Sequence, residues 1–113
     1  MEVISQNKKH ILNPTVTTID ETIVSEIEGQ ILSREKNTQI VINLENTETC
    51  VNDFFIMLSR LKNFNISLVN VDSRILSTLY MMNFDKYVKI FENKLSLEEN
   101  SNRLINRRFS LVR

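Results

Sequence analysis

Apolar residues recur every fourth position at Ile19, Ile23, Ile27 and Ile31, with Val24 beside them. That spacing predicts an amphipathic helix over about residues 19–33. Thr18-Ile19-Asp20-Glu21 has the form of a capping box at its start: the Thr18 hydroxyl accepts from the Glu21 N–H, and the Glu21 carboxylate accepts from the Thr18 N–H. Gly29 falls inside this helix and weakens it by roughly 1 kcal/mol relative to Ala. Residues 39–44 form a nearly continuous run of β-branched residues, as expected of a strand covered on both faces. Val51, Phe54, Phe55, Leu58 and Leu61 return to helical spacing up to about residue 62.

A second buried-type strand follows at 66–71. Asp72 or Ser73 then caps a helix carrying Ile75, Leu76, Leu79 and Met82. Asn83 suits its end, because Asn tolerates the left-handed conformation. Residues 88–91 are a third core strand. Ser96-Leu97-Glu98-Glu99 is another capping box, and Leu97, Leu104, Ile105 and Phe109 line a last helix. At the N-terminus, residues 1–5 and 10–12 are short β-like runs separated by Gln6-Asn7-Lys8-Lys9 and suited to a hairpin, with a break at Asn13-Pro14. Strands alternating with helices imply right-handed crossovers and a mainly parallel sheet, which the N-terminal strands make mixed. The expectation is a single α/β domain over 1–113, with about five strands and four helices.

Composition narrows the function. Lys plus Arg equal Asp plus Glu at 14 each, which argues against a dedicated nucleic-acid or membrane-surface binder, since both need a positive field; local patches stay open. The lone Cys50 excludes an intrachain disulfide and a cysteine zinc site, and fits a reducing cytoplasm. No charged-then-apolar signal opens the sequence and no apolar run approaches ~18 residues, so neither secretion nor membrane insertion is expected. Gly29 is the only glycine, which removes the Walker and dinucleotide loops and leaves no cofactor to expect. His10 has no ligand-spaced partner. Cys50 precedes a helix start, where a thiolate pKa can fall; a small apolar filler is the better reading. Glu26 and Glu28 read as solvated. Tyr80, Met81, Met82 and Phe84 form a soft apolar cluster, core by default and a partner groove as the alternative. Arg103, Arg107, Arg108 and Arg113 make a basic end that suits a helix C-terminus.

Three stretches carry a resemblance: Ile40-Val41-Ile42-Asn43-Leu44-Glu45, then the stretch from Leu68-Val69-Asn70-Val71-Asp72-Ser73 to Leu79, then Met82-Asn83-Phe84-Asp85-Lys86-Tyr87-Val88-Lys89-Ile90-Phe91. With Leu95-Ser96-Leu97-Glu98-Glu99 they cover a little over half the chain in order. They resemble a STAS domain, the fold of bacterial anti-sigma factor antagonists and of the cytoplasmic tails of sulfate transporters. The resemblance implies a non-enzymatic protein-interaction module in transcription regulation and signal transduction. Its partner would be an anti-sigma factor or a kinase-like ATPase.

In that family the strand-to-helix junction carries a serine that a kinase phosphorylates to expel the partner. Counting without a gap, Val51, Asn52, Asp53 and Phe54 stand at the family's Asp-Ser-Ser-Gly, and Asn52 takes the phosphoacceptor position. Asn has no hydroxyl to accept a phosphoryl group, stays neutral, and can still cap a helix. Asp53 adds a fixed negative charge at the positive helix end, worth roughly 0.3–1 kcal/mol. The switch is therefore either lost or moved to Thr49 or Thr47. Partner contact is expected from Asn46, Thr49, Asn52, Asp53, Phe55, Ile56 and Ser59, with Phe55 partly exposed and Phe54 in the core. The alternative implied is a structural STAS subunit of a larger assembly, stressosome-like or lipid-transporting.

Overall fold

The computed structural model of the chain describes residues 1–6 and 8–91. In order these form β1 (Glu2–Gln6), β2 (Lys9–Asn13), β3 (Thr18–Ile19), α1 (Glu21–Leu32), β4 (Gln39–Asn43), β5 (Thr49–Cys50), α2 (Asn52–Arg60), β6 (Asn65–Val69), α3 (Ser73–Met81), a single 3₁₀ turn (Phe84–Lys86) and β7 (Lys89–Phe91). Three α-helices are present among the described residues rather than the expected four. The fourth, with Leu97, Leu104, Ile105 and Phe109, and the basic cluster Arg103, Arg107, Arg108 and Arg113 lie outside the described residues.

Five strands make one mixed sheet in the order β1-β2-β4-β6-β7. β1 and β2 form the expected antiparallel hairpin, and the remaining neighbours are parallel. From β2 onward each crossover adds one strand on the same side, and a right-handed βαβ unit then places every helix on the same face. The core follows this geometry. Leu12, Ile40, Ile42, Ile66, Leu68 and Ile90 pack against Val24, Ile27 and Ile31 of α1, Phe54, Met57 and Leu58 of α2, and Ile75 and Leu79 of α3. Ile11, Val41, Val69 and Phe91 point the other way and form a second cluster. Both faces of β4 and β6 are buried, which is why β4 reads as the apolar run Ile40-Val41-Ile42 and β6 is apolar apart from the buried Ser67. Each such side chain contributes roughly 1.5–3 kcal/mol when fully buried.

The helix starts depart from the capping reading. α1 begins at Glu21, and Asp20, not Thr18, is its cap, with the carboxylate accepting from the Ile23 N–H at 3.0 Å. Thr18 and Ile19 are extended because they pair with Thr49 and Cys50 in a separate two-stranded parallel ladder. α2 starts at Asn52, but the capping position is Val51, which offers no side-chain bond, so Asn52 is the first helical residue and not the cap. α3 is capped as expected: the Asp72 carboxylate accepts from the Arg74 N–H at 2.9 Å. α3 ends with Asn83 in the left-handed region at φ 60°, which its short polar side chain makes tolerable.

Two further expectations change. Glu28 is not simply solvated: it forms a two-pronged ion pair with Arg60, at 2.8 and 3.2 Å, that ties α1 to α2. Of the soft cluster, Phe84 is buried and Tyr80 packs half-buried against the core, as expected by default. Met81 and Met82, at the C-terminal end of α3, are 80% and 51% exposed.

Candidate functional site

Parallel strands bring their carboxyl ends to one edge, where loops have room to form a site. Here that edge is held by β4 and β6. Beyond β4, the Leu44 N–H donates to the Val69 carbonyl at 3.0 Å, so the two strand ends remain paired as the chain turns. The Asn43 side-chain oxygen Oδ1 accepts from the Asn70 side-chain amide at 2.9 Å and from the Glu45 N–H at 3.2 Å. Asn70 itself sits at φ 55°, a turn that Asn adopts more readily than most residues. These two asparagines fix the direction in which the junction leaves the sheet.

The rest of the junction is pinned from the opposite side. Thr47 is buried and its hydroxyl donates to the Val16 carbonyl at 2.8 Å. The Glu48 N–H donates to the Thr17 carbonyl at 2.8 Å and the Val51 N–H to the Ile19 carbonyl at 3.0 Å. Thr49 and Thr18 share a hydroxyl–hydroxyl bond of 2.9 Å. The short β3–β5 ladder thus ties the junction to the start of α1. On the far side the Arg74 guanidinium spans Asp72 and Glu48, at 3.1 and 3.0 Å, and joins the start of α3 to the loop before β5. Hydrogen bonds from the Arg74 side chain and N–H hold the Asp72 carboxyl below its usual 3.8.

α2 presents its outward face above this frame. Asn52, Asp53, Ile56 and Ser59 are all exposed, and at 100° per residue they fall within an arc of about 120°. Ile56 is 50% exposed, an apolar side chain in a polar row. Asn46 is exposed on the adjacent loop. Phe55 differs from expectation: it is only 5% exposed. Phe54 meets it edge-on at 5.7 Å and Phe84 lies across it at 6.1 Å. Phe84 comes from the 3₁₀ turn, a contact that helical spacing alone does not reveal.

Between β5, α2 and α3 lies a cavity of about 140 Å³, with Glu48, Thr49, Cys50 and Phe55 on one side and Arg74, Ile75 and Thr78 on the other. Pockets for drug-sized ligands start near roughly 300 Å³, so this one holds a single side chain. Cys50 at its floor behaves oppositely to a helix-activated thiol: burial pushes its pKa from 9.0 up to about 12. His10, away from this edge, has both ring nitrogens engaged. Nε2 lies 3.2 Å from the Gln30 side-chain oxygen, and Nδ1 lies 2.6 Å from the Ser5 hydroxyl.

The junction brings together Asn46, Thr49, Asn52, Asp53, Ile56 and Ser59 as an accessible set. It withdraws Phe55 into the core and Thr47 beneath the loop. The bracing residues Asn43, Asn70 and Arg74 were not singled out from sequence. Only the Asp72–Arg74 spacing carried a local sign of their roles.

Several solved structures share this architecture. A protein described as a candidate anti-sigma factor antagonist from Thermotoga maritima superposes with a TM-score of 0.72 at 15% identity, over 87% of this chain and 91% of that one. The chain has the STAS fold. Two further STAS-fold likenesses are the anti-sigma factor antagonist SpoIIAA in its unphosphorylated form and a sulfate transporter family protein from Wolinella succinogenes. The first has a TM-score of 0.60 at 13% identity, covering 95% of this chain and 96% of that one. The second has a TM-score of 0.62 at 11% identity, covering 96% and 91%. No protein-family model matches the chain, and no curated protein matches it significantly. Among the described residues, no helix is long and apolar enough to cross a membrane.

Proposed function

We propose that the chain is a non-enzymatic interaction module of the anti-sigma factor antagonist type, acting in the cytoplasm on an anti-sigma factor or kinase-like ATPase in transcription regulation. The observation that carries this reading is the exposed row Asn52, Asp53, Ile56 and Ser59 at the carboxyl edge of a STAS sheet. Ile56 supplies the apolar anchor and the polar residues around it supply the rim, the usual arrangement of an interface hot spot. The 140 Å³ cavity beside α2 accepts one further side chain of the partner. Among the described residues, Glu45, Glu48, Asp53 and Asp72 surround this surface with only Arg74 as a nearby cation, so the partner's matching surface is basic.

Control by phosphate differs from the antagonist pattern. Asn52 stands at the first position of α2 without a hydroxyl, so the junction remains in its neutral, binding form. Thr49 is the exposed hydroxyl left on the loop, whereas Thr47 is buried and bonded. A phosphate on Thr49 would add about −1.5 to −2 charges beside Glu48 and repel a partner in the same way. Incubation with a kinase that modifies antagonists of this fold, followed by phosphosite mapping, tests the reading. The expected result is no modification of the native chain and modification of Asn52→Ser at position 52. Stoichiometric phosphate on Thr49 of the native chain contradicts a lost switch and places control on that residue.

The likeness to a sulfate transporter family protein supports a second reading, in which the domain is a structural part of a larger assembly. A stable complex through size-exclusion chromatography, with no kinase-like partner, is its signature.

A further inference from the structure

We propose that the amino end of the parallel sheet, opposite the junction, is a docking surface for an anionic lipid bilayer, held by lysines and shallow apolar insertion without a membrane span. Right-handed crossovers return every helix to this end, so the helix C-termini and the strand starts share it. Lys8 and Lys9 enter at the start of β2. Arg34 and Lys36 lie between α1 and β4, Lys62 between α2 and β6, and Lys86 just before β7, whose first residue, Lys89, stands level with Ser67 of β6. All but the half-buried Lys9 are exposed. Among the described residues only Glu35 and Asp85 oppose them, and Arg60 is left out because Glu28 already neutralises it at 2.8 Å.

Helix dipoles favour cations near helix C-termini, which accounts for part of this set. They give no reason for Lys8, Lys9 and Lys89 at strand starts, nor for the apolar residues found there. Of the six large apolar side chains that stand exposed among the described residues, Leu32, Met81, Met82 and Tyr87 are at this end, with Met81 at 80%. The Lys62 ammonium lies 5.7 Å over the Tyr87 ring, so the loops before β6 and β7 present charge and apolar surface together.

The residue types select the occupant. Protein interfaces favour Arg and are depleted in Lys, and Arg is the commonest reader of base edges; here lysine predominates. Nucleic acid offers phosphates to these lysines but nowhere to bury Met81. A bilayer surface offers both: headgroup charge for lysines that extend along their stems, and an acyl boundary for Met, Leu and Tyr. The zero net charge of the chain conceals this surface, because the opposite end carries the compensating acids.

Vesicle co-sedimentation of the full chain tests the proposal, with phosphatidylcholine alone against phosphatidylcholine with about 30 mol % phosphatidylserine. Retention is expected only on the anionic vesicles and is expected to be abolished at about 0.5 M salt. Lys86→Gln with Lys89→Gln, at exposed positions, weakens partition about 25-fold, at about fivefold per charge. Met81→Ser with Met82→Ser weakens it while leaving the salt dependence unchanged. Equal retention on both vesicle types, or retention indifferent to these variants, overturns the proposal. So does binding to duplex DNA without vesicle binding. Self-association that the lysine variant abolishes, without vesicle binding, assigns the surface instead to the acidic end of a second copy.

Discussion

The two ends of the sheet are built from the same connections and differ in almost every surface property. At the carboxyl end the chain turns from strand to helix, and Asp20, Glu21, Asp53 and Asp72 fall at or near helix starts, joined by Glu2, Glu45 and Glu48 with Arg74 between them. At the amino end the chain turns from helix to strand, and lysines prevail. Helix dipoles bias both ends in these directions. The ends also differ in how they are held. The junction is cross-braced by Asn43 and Asn70, by the β3–β5 ladder and by Arg74, with two phenylalanines packed beneath. The amino end instead leaves Met81 and Met82 in solvent. A braced surface with one apolar residue suits shape-specific recognition of a protein. A looser collection of lysine, methionine and leucine suits a surface without fixed shape.

The largest test of this contrast lies within one helix. Phe55→Ala removes a ring packed between Phe54 and Phe84 and is expected to cost about 3–5 kcal/mol in urea unfolding. Ile56→Asp, one residue on, changes stability by no more than about 0.5 kcal/mol while removing the anchor for a partner. Equal costs at the two positions would mean that the outward face of α2 is not free for binding.

The next test concerns the floor of the junction. With its pKa pushed up to about 12, the Cys50 thiol holds about 10³-fold less thiolate at pH 8 than an ordinary one. Alkylation of the folded protein is expected to be correspondingly slower than in urea. The sign for stability follows from the raised value. Above 9.0 the unfolded thiol ionises while the folded one keeps its proton, so this contribution is complete below 9.0 and is lost as pH rises toward about 12. Alkylation at equal rates folded and unfolded would show that the loop opens readily and is not braced.

Much of the fold was legible because buried parallel strands and amphipathic helices carry strong periods. Ile23, Ile27 and Ile31 marked α1, although Ile19 of the same spacing lies in β3, and residues 39–44 marked β4 within one residue. The misses share a cause. Thr18–Ile19 and Thr49–Cys50 are strands of two residues each, too short to leave a period, and their pairing moved the cap from Thr18 to Asp20. Phe55 was expected to be partly exposed because its cover, Phe84, comes from about thirty residues away and from outside any helix. The polarity of charge was invisible in a balanced composition: it emerges only when the topology assigns each loop to an end. The accessible part of the site was legible from position on α2 alone, whereas its bracing depends on contacts between segments distant in sequence.

The most direct measurement is partner retention from cells of the source organism by three immobilised forms of the folded chain: native, Ile56→Asp with Asp53→Lys, and Lys86→Gln with Lys89→Gln. The account predicts that an anti-sigma factor or kinase-like ATPase is held by the native chain and by the lysine variant, and is lost from the junction variant. Retention by the junction variant, with loss from the lysine variant, would contradict it.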